Sequence, residues 1–84
     1  MFYYTYVLKS LKDEKHYTGF TKKLKERLEM HNTGKVSSTK YRRPFELVYF
    51  EACKSIDSAI HREKYLKIAY GKRYLKNRLK NYDI

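Results

Sequence analysis

The sequence predicts a small α+β domain whose elements follow in the order ββαβαα. Aromatic and β-branched residues are concentrated in three short segments, which is typical of strands. Elsewhere, apolar residues recur at helical spacing. The predicted strands are residues 2–9, 16–20 and 45–53, and the predicted helices are residues 22–32, 56 to about 70, and 72–81. Because a chain of 84 residues can bury only a small core, we expect one domain over residues 1–84.

The first two strands are predicted to form a hairpin. In the first strand, alternation places Tyr4, Tyr6 and Leu8 on one face and the intervening residues on the other. Residues 12–15 supply a polar turn, and the second strand carries Tyr17 close to its start. In the third strand, the same alternation predicts Leu47 and Tyr49 on one face, opposite Val48 and Phe50.

The first helix carries two polar side chains on the side that should pack. Thr21 is its predicted N-cap, and Gly34 follows its predicted last turn. With Leu24 at zero on a helical wheel, His31 falls at about −20° and Arg27 at about −60°. An unpaired charge is costly to bury. These two side chains therefore indicate chemistry in this region.

The second helix carries a carboxylate inside its apolar stripe. Ser55 is the predicted N-cap. With Ile56 at zero, Tyr70 falls at about −40° and Glu63 at about −20°. A carboxylate there needs a cation, a hydrogen-bond donor or a metal. The alternative is a simple i, i+4 ion pair from Glu63 to Lys67, and periodicity alone favours that pair.

Composition narrows the partners. Twenty Lys and Arg against nine Asp and Glu give a formal net charge of +11, which favours a polyanion such as nucleic acid. A basic domain that is merely solubilised by its charge is the alternative. The single cysteine, Cys53, cannot form an internal disulfide, so we expect a cytoplasmic protein. No apolar run is long enough for a membrane span, and we expect no membrane partner.

Two segments are candidates for contact with phosphate. Residues 35–43 combine hydroxyl groups with four cations and no acid, and residues 72–81 contain five cations and no acid. A solvated connector and a solvated terminal helix are the alternatives. The candidate contact residues are Lys35, Lys40, Arg42, Arg43, Lys72, Arg73 and Lys76.

Most of the familiar catalytic motifs are missing from the sequence. It has no glycine-rich phosphate loop, no Cys and His pattern for zinc, and no pattern for a serine triad. Its acids are spread singly, which argues against a site with two metals. The remaining set suits cleavage of a phosphodiester: an arginine binds phosphate, one carboxylate holds one metal, and a tyrosine whose pKa nearby cations would lower handles a water. That set is Tyr6, Tyr17, Arg27, His31 and Glu63.

The order of these residues resembles the GIY-YIG nuclease superfamily. Tyr4-Thr5-Tyr6, with Tyr17-Thr18-Gly19 eleven residues on, resembles its paired motif, and Thr5 and Thr18 depart from that motif. LKERLEMHNTGK and AIHREKYL resemble small stand-alone members that are similar to the N-terminal nuclease domain of the excision-repair nuclease. The resemblance implies a three-stranded antiparallel sheet flanked by helices.

The resemblance also implies a role for each site residue. Tyr6 would be the general base or water-orienting group, and Tyr17 would help to position the nucleophile. Arg27 would bind the phosphate, and His31 would assist beside the nucleophile. Glu63 would hold one Mg²⁺ or Mn²⁺ ion. A late asparagine near the phosphate matches either Asn77 or Asn81.

These observations together predict a divalent-metal-dependent endonuclease that acts on DNA, with RNA left open. The alternative is a nucleic-acid-binding module that cuts weakly or not at all, acting with a protein partner in a repair or recombination assembly. A purely structural or protein-interaction domain is a third interpretation. The sequence predicts no oligomeric state and no preferred DNA structure.

Overall fold

The computed structural model describes residues 1–80 and residue 82, and its elements follow the predicted order. The strands are β1 (Tyr3–Ser10), β2 (His16–Thr21) and β3 (Phe45–Cys53), and the helices are α1 (Leu24–Asn32), α2 (Ile56–Leu66) and α3 (Ala69–Arg78). One 3₁₀ turn, Lys40–Arg42, lies in the loop between α1 and β3. Of the two candidate asparagines, Asn77 is exposed on α3, and Asn81 lies outside the described residues.

The three strands form one antiparallel sheet in the order β2-β1-β3, as predicted. Helix α1 covers one face, where Tyr6, Leu8 and Phe45 are buried. Helices α2 and α3 cover the other face, where Val7 packs with side chains of both helices. The alternation predicted for β1 is therefore confirmed. Because β1 is central and packed on both faces, its side chains have little freedom to move, which favours a fixed site.

The alternation predicted for β3 is wrong at Tyr49. The pairing with β1 shifts between Val7 and Leu8, so that Val7 faces Tyr49 and Leu8 faces Leu47. The extra residue, Val48, forms a bulge, and both Val48 and Tyr49 pack on the α2–α3 face. A bulge adds one residue to one strand and reverses the faces beyond it. Sequence alternation alone does not reveal this insertion.

The beginning of α1 differs from the prediction. The helix begins at Leu24 with Lys23 as its N-cap residue. Thr21 is not the cap, although its Oγ1 accepts the N–H of Lys23 at 3.1 Å and so supports the turn into the helix. The cap predicted for α2 is confirmed, because the Ser55 hydroxyl accepts the N–H of Ser58 at 3.2 Å.

The boundary between α2 and α3 lies earlier than predicted. Helix α2 ends at Leu66 rather than near Tyr70, and α3 begins at Ala69 rather than at Lys72. As a result Tyr70, predicted on the apolar stripe, is 66% exposed, and Ile56 at the other end of that stripe is also exposed. Both helices are amphipathic, so periodicity runs through the break and hides it.

Gly71 determines how closely α3 approaches α2. It is buried, and a Cβ atom at this position would overlap the backbone carbonyl oxygen of Tyr65 and crowd the Cα of Leu66. Because the obstacle is backbone, it cannot rotate away as a flexible side chain would. The glycine therefore allows the tight turn that returns the chain across the α2–α3 face.

Replacing Gly71 by alanine is expected to destabilise the protein by about 1–3 kcal/mol, despite the better helix propensity of alanine. The two helices must separate to admit the methyl group. The free energy of unfolding from urea titrations would test this, with Lys72→Ala at the exposed neighbouring position as the control. A Gly71→Ala protein as stable as the wild type would contradict this packing of α3 on α2.

A polar cluster on the α2–α3 face fixes the rotation of α2. Arg62 makes an ion pair with Glu51 of β3 at 2.9 Å, and its guanidinium lies 5.0 Å from the ring centres of Tyr65 and Tyr74. The hydroxyls of Tyr49 and Tyr74 are 3.0 Å apart. These contacts tie α2 to β3 and α3. The orientation of the residue after Arg62, which is Glu63, follows from this anchoring.

No helix within residues 1–80 is long and apolar enough to cross a membrane.

Candidate active site

Four of the five predicted catalytic residues meet on the face covered by α1. Tyr6 comes from β1, Tyr17 from β2, and Arg27 and His31 from α1. In the sheet, Tyr6 is paired with Gly19. A Cβ on Gly19 would lie 2.6 Å from the Tyr6 hydroxyl oxygen, so the phenol occupies the space that this glycine leaves open. The nearest atoms to that position belong to tyrosine side chains rather than to a helix.

The Tyr6 hydroxyl begins a buried chain of hydrogen bonds. Its oxygen lies 2.9 Å from Nε2 of His31. On the other side of the imidazole, Nδ1 lies 2.8 Å from Oγ1 of Thr39, and the Thr39 hydroxyl reaches the carbonyl oxygen of Val36 at 3.3 Å. His31 and Thr39 are fully buried. The imidazole is therefore held at both nitrogens, which fixes its orientation.

The chain of donors assigns a tautomer to His31. A carbonyl oxygen accepts only, so the Thr39 hydroxyl donates to Val36 and its oxygen accepts the Nδ1–H of His31. Nε2 is then unprotonated and accepts the hydroxyl proton of Tyr6. The result is a neutral histidine whose basic nitrogen faces the tyrosine, which is the arrangement needed to take a proton from Tyr6.

Arg27 approaches the same hydroxyl from α1. Its Nε lies 3.4 Å from the Tyr6 oxygen, and the tyrosines Tyr6 and Tyr17 both raise its pKa. A phenol oxygen has one proton and two lone pairs. With the proton directed to His31 and one lone pair directed to Arg27, one lone pair remains to accept a hydrogen bond from water.

The pKa of Tyr6 lies above its usual value, mainly because the phenol is buried. The hydrogen bond from Arg27 lowers this pKa but is outweighed by burial. The expectation that the nearby arginine helps to bring the pKa of the tyrosine below 10 is therefore wrong for Tyr6. Tyr6 is a protonated phenol at neutral pH, so it needs a proton acceptor such as His31 if it is to act as a base.

Burial, together with the charge of Arg27, lowers the pKa of His31 from 6.5 to about 4. An unfolded chain takes up a proton at His31 near pH 6.5, whereas the folded protein does so only near pH 4. Stability should therefore fall as pH falls through this window, by up to about 1.4 kcal/mol per pH unit from this residue, and be independent of it above the window. The pKa of His16 is also lowered, so a comparison must isolate His31.

We expect the stability difference between the wild type and His31→Gln to narrow as pH is lowered, because only the wild type loses the His31 contribution. Urea unfolding of both proteins from about pH 7.5 to about pH 4.5 measures this difference, and the titration of His16 cancels in the comparison. A difference that stays constant over the range would show that the pKa of His31 is not depressed.

Tyr17 lies against the imidazole and opens towards solvent. The centres of the Tyr17 and His31 rings are 4.9 Å apart, and those of Tyr17 and Tyr6 are 6.4 Å apart. Tyr17 is only partly buried, and it also lines a surface groove between β2 and α3. It therefore separates the buried chain at Tyr6 from the open surface.

Glu63 reaches this cluster from α2. Its charge raises the pKa of Tyr6, which places the carboxylate near the phenol. Its Oε2 also accepts a hydrogen bond from Nζ of Lys67 at 2.9 Å, so the i, i+4 ion pair that periodicity favours is present. The Glu63 side chain is 21% exposed and the Lys67 side chain is 51% exposed. Within residues 1–80 and 82, no three His, Cys, Asp or Glu side chains cluster as a metal site.

The predicted phosphate-contacting cations do not behave as one group. Lys72 and Lys76 line the groove next to Tyr17. Arg42 instead makes an ion pair with Asp13 at 2.7 Å, which lowers the pKa of that carboxyl. The remaining four have local roles or exposed positions: Lys40 lies over the Tyr41 ring, Arg43 donates to the Lys40 carbonyl, Arg73 lies over the Tyr70 ring, and Lys35 is exposed.

Sequence reasoning misses three residues of this region. In the sequence, Thr39 is one hydroxyl of a basic loop, and its contact with His31 depends on the path of that loop. Lys15 is a turn residue in the sequence, yet it lines the groove. Lys67 stands out only as the partner of Glu63, although it lines the same groove. A hydroxyl within the basic loop is the one sequence feature that points towards Thr39.

The fold and the paired tyrosines match a known class of domain. A family model described as the GIY-YIG catalytic domain matches residues 2–82. The chain therefore belongs to the GIY-YIG family of nuclease domains, as its sequence motifs predict.

Particular relatives are small proteins of similar length. A UPF0213 protein of Clostridium perfringens is 45% identical over 65 residues, which cover 76% of this chain and 69% of that protein. A UPF0213 protein of Syntrophus aciditrophicus is 39% identical over 66 residues, covering 76% and 75% of the two chains. The solution NMR structure of the UPF0213 protein BH0048 from Bacillus halodurans is similar with a TM-score of 0.56 and 34% identity, over 92% of this chain and 84% of that one.

Proposed function

We propose that this protein is an endonuclease that hydrolyses DNA phosphodiester bonds with the help of one divalent metal ion. GIY-YIG nucleases act on DNA, and membership of that family supports the substrate class. The observation that carries the proposal is the Tyr6 hydroxyl. It is hydrogen-bonded to an unprotonated nitrogen of His31 and to Arg27, and it retains one lone pair for a water.

The proposed reaction begins with a water hydrogen-bonded to the Tyr6 oxygen. As the water attacks phosphorus, Tyr6 accepts its proton and passes its own hydroxyl proton to Nε2 of His31. Thr39 holds Nδ1 and keeps Nε2 free for that proton. The low pKa of His31 makes it a weak acceptor, and the negative charge of a bound phosphodiester strengthens it.

Arg27 is the proposed phosphate-binding residue. Its guanidinium lies beside both tyrosines, so a phosphate bound to it would stand next to the attacking water. A planar guanidinium donates two parallel hydrogen bonds to phosphate oxygens, and these strengthen as charge builds up on the phosphorane. Tyr17 would stack beside His31 and help to position the water.

The metal would be held by Glu63. A single, partly exposed carboxylate suits Mg²⁺ or Mn²⁺, which retain several waters and take further oxygens from phosphate. A bound divalent ion would supply neutralisation of charge on the leaving oxygen. No second protein carboxylate is needed for such a shell, which agrees with the absence of an acidic cluster within the described residues.

The proposed DNA contacts begin with Lys72 and Lys76, because they line the groove that starts at Tyr17. The loop cations Lys35, Lys40 and Arg43 and the α3 cation Arg73 are proposed as further contacts of lower importance. Arg42 is already paired with Asp13, so its contribution should be smallest. Asn77 is exposed on α3 and is the late asparagine proposed to face the substrate.

Cleavage of end-labelled single-stranded, duplex, flapped and branched DNA, with Mg²⁺ or Mn²⁺ against chelator, tests the proposal. We expect metal-dependent products with at least one substrate, and the preferred substrate would indicate the pathway. Salt-sensitive binding of every DNA without cleavage would overturn the enzyme and support a binding module that works with a protein partner. Cleavage of the matching RNA at an equal rate would overturn the restriction to DNA.

A further inference from the structure

A groove of about 710 Å³ runs beside Tyr17, between the β2 edge and α3. Four lysines and one carboxylate, Glu14, contribute charge to its walls. Such a balance suits a polyanion, and a nucleic-acid strand bound at Tyr17 would continue along the groove with its phosphates facing cations. The groove lysines are Lys15, Lys67, Lys72 and Lys76.

The groove also contains a polar atom without a partner. Nε2 of His16 is buried and has no hydrogen-bond partner within the described part of the chain. His16 lines the groove and immediately precedes Tyr17. A buried nitrogen of this kind is costly unless something bonds to it. A phosphate oxygen in the groove would accept from the Nε2–H tautomer of His16.

Lys67 belongs to both the groove and the proposed metal site. It lines the groove, and its ammonium is bonded to the one carboxylate that would hold the metal. An ammonium and a divalent ion compete for the same Glu63 oxygen. The pair is half exposed on the lysine side, so the ammonium can exchange Glu63 for another anion at small cost.

We propose that the groove binds the DNA backbone next to the scissile phosphate, and that Lys67 moves from Glu63 to a backbone phosphate when DNA binds. This inference rests on the proposed function and adds a coupling to it. DNA in the groove frees Glu63 for the metal, and metal on Glu63 frees Lys67 for DNA. By linkage, each ligand raises the affinity for the other by the same factor.

The first test measures Mn²⁺ affinity by calorimetry, with and without a short DNA duplex, in a Tyr6→Phe background that prevents cleavage. Lys67→Gln should bind Mn²⁺ about threefold to fivefold more tightly without DNA, since a half-exposed ion pair no longer has to be broken. The duplex should then enhance Mn²⁺ binding less in Lys67→Gln than in the parent, by the same factor.

Lys64→Gln is the matched control, because Lys64 is exposed on the same helix and its loss changes the net charge equally. Equal Mn²⁺ affinities for Lys64→Gln and Lys67→Gln would overturn the coupling, as would an unchanged enhancement by DNA. Glu63→Gln distinguishes the two levels of the proposal. If it binds Mn²⁺ as the parent does, the proposed metal site itself is wrong, whatever Lys67 does.

The second test addresses the groove without metal. In chelator, DNA affinity is measured against salt concentration for Lys15→Gln, Lys72→Gln and Lys76→Gln. Each substitution should lower the slope of log affinity against log salt by about 0.9 for duplex DNA, since each removes one phosphate contact. Lys54→Gln, an exposed cation in the turn between β3 and α2, controls for net charge. Slopes equal to that control would overturn the groove as the backbone site.

Discussion

Tyr6→Phe is expected to reduce the cleavage rate by about 10²–10⁴-fold, which is the usual contribution of a general base. The phenyl ring keeps the packing against Gly19 but removes the hydroxyl that joins water, Arg27 and His31. DNA affinity in chelator should change little, because the hydroxyl is buried behind the binding surface. Single-turnover rates with saturating metal measure the loss directly.

Tyr41→Phe is the matched control for this experiment, since Tyr41 is 75% exposed in the loop before β3. It should cut at the wild-type rate. Tyr6→Phe leaves Nε2 of His31 without a donor, so a stability loss of about 1–3 kcal/mol is also expected. Rates are therefore compared well below the unfolding midpoint. A folded Tyr6→Phe protein that cuts as fast as Tyr41→Phe would eliminate Tyr6 as base or water-orienting group.

Glu63→Gln is expected to abolish metal-dependent cleavage, with a rate loss on the order of 10³-fold, because loss of the ion removes several kcal/mol of charge stabilisation. The amide matches the carboxylate in size and cannot ligate as strongly. The ion pair with Lys67 is exposed on one side, so its loss should change the free energy of unfolding by about 1 kcal/mol or less.

Cleavage as a function of Mg²⁺ and Mn²⁺ concentration separates binding from chemistry in this variant. Weak metal binding through the residual amide oxygen predicts that high Mn²⁺ partly rescues the glutamine protein, whereas a structural role predicts no rescue. Glu29→Gln, on the exposed side of α1, is the charge-matched control and should behave as the wild type. An unchanged metal dependence in Glu63→Gln would place the metal elsewhere.

The sequence is sufficient for the fold class and for the four residues that meet on the α1 side of the sheet. Strict alternation in β1 and the helical phase of Arg27 and His31 are local properties, and both survive in the structure. Glu63 is identified through the family resemblance, because periodicity alone favours its pairing with Lys67. The structure contains both that pair and the proximity of Glu63 to Tyr6.

The errors occur where a distant contact overrides a local pattern. The bulge at Val48 is set by the register against β1, and it reverses the face of Tyr49. The break before α3 is set by the approach of Gly71 to the backbone of α2, and it exposes Tyr70. Neither feature interrupts the sequence pattern, because amphipathic segments on either side keep their own periodicity.

What the sequence determined by itself is the order of elements, the basic character and the identity of the reactive side chains, all of which depend on residues near one another in the chain. What only the tertiary structure decided is their chemical state. The pKa of Tyr6 is raised and that of His31 is lowered because β1, α1 and the Thr39 loop enclose them together. Desolvation and hydrogen-bond direction depend on everything packed around a group, and no local pattern encodes that surrounding.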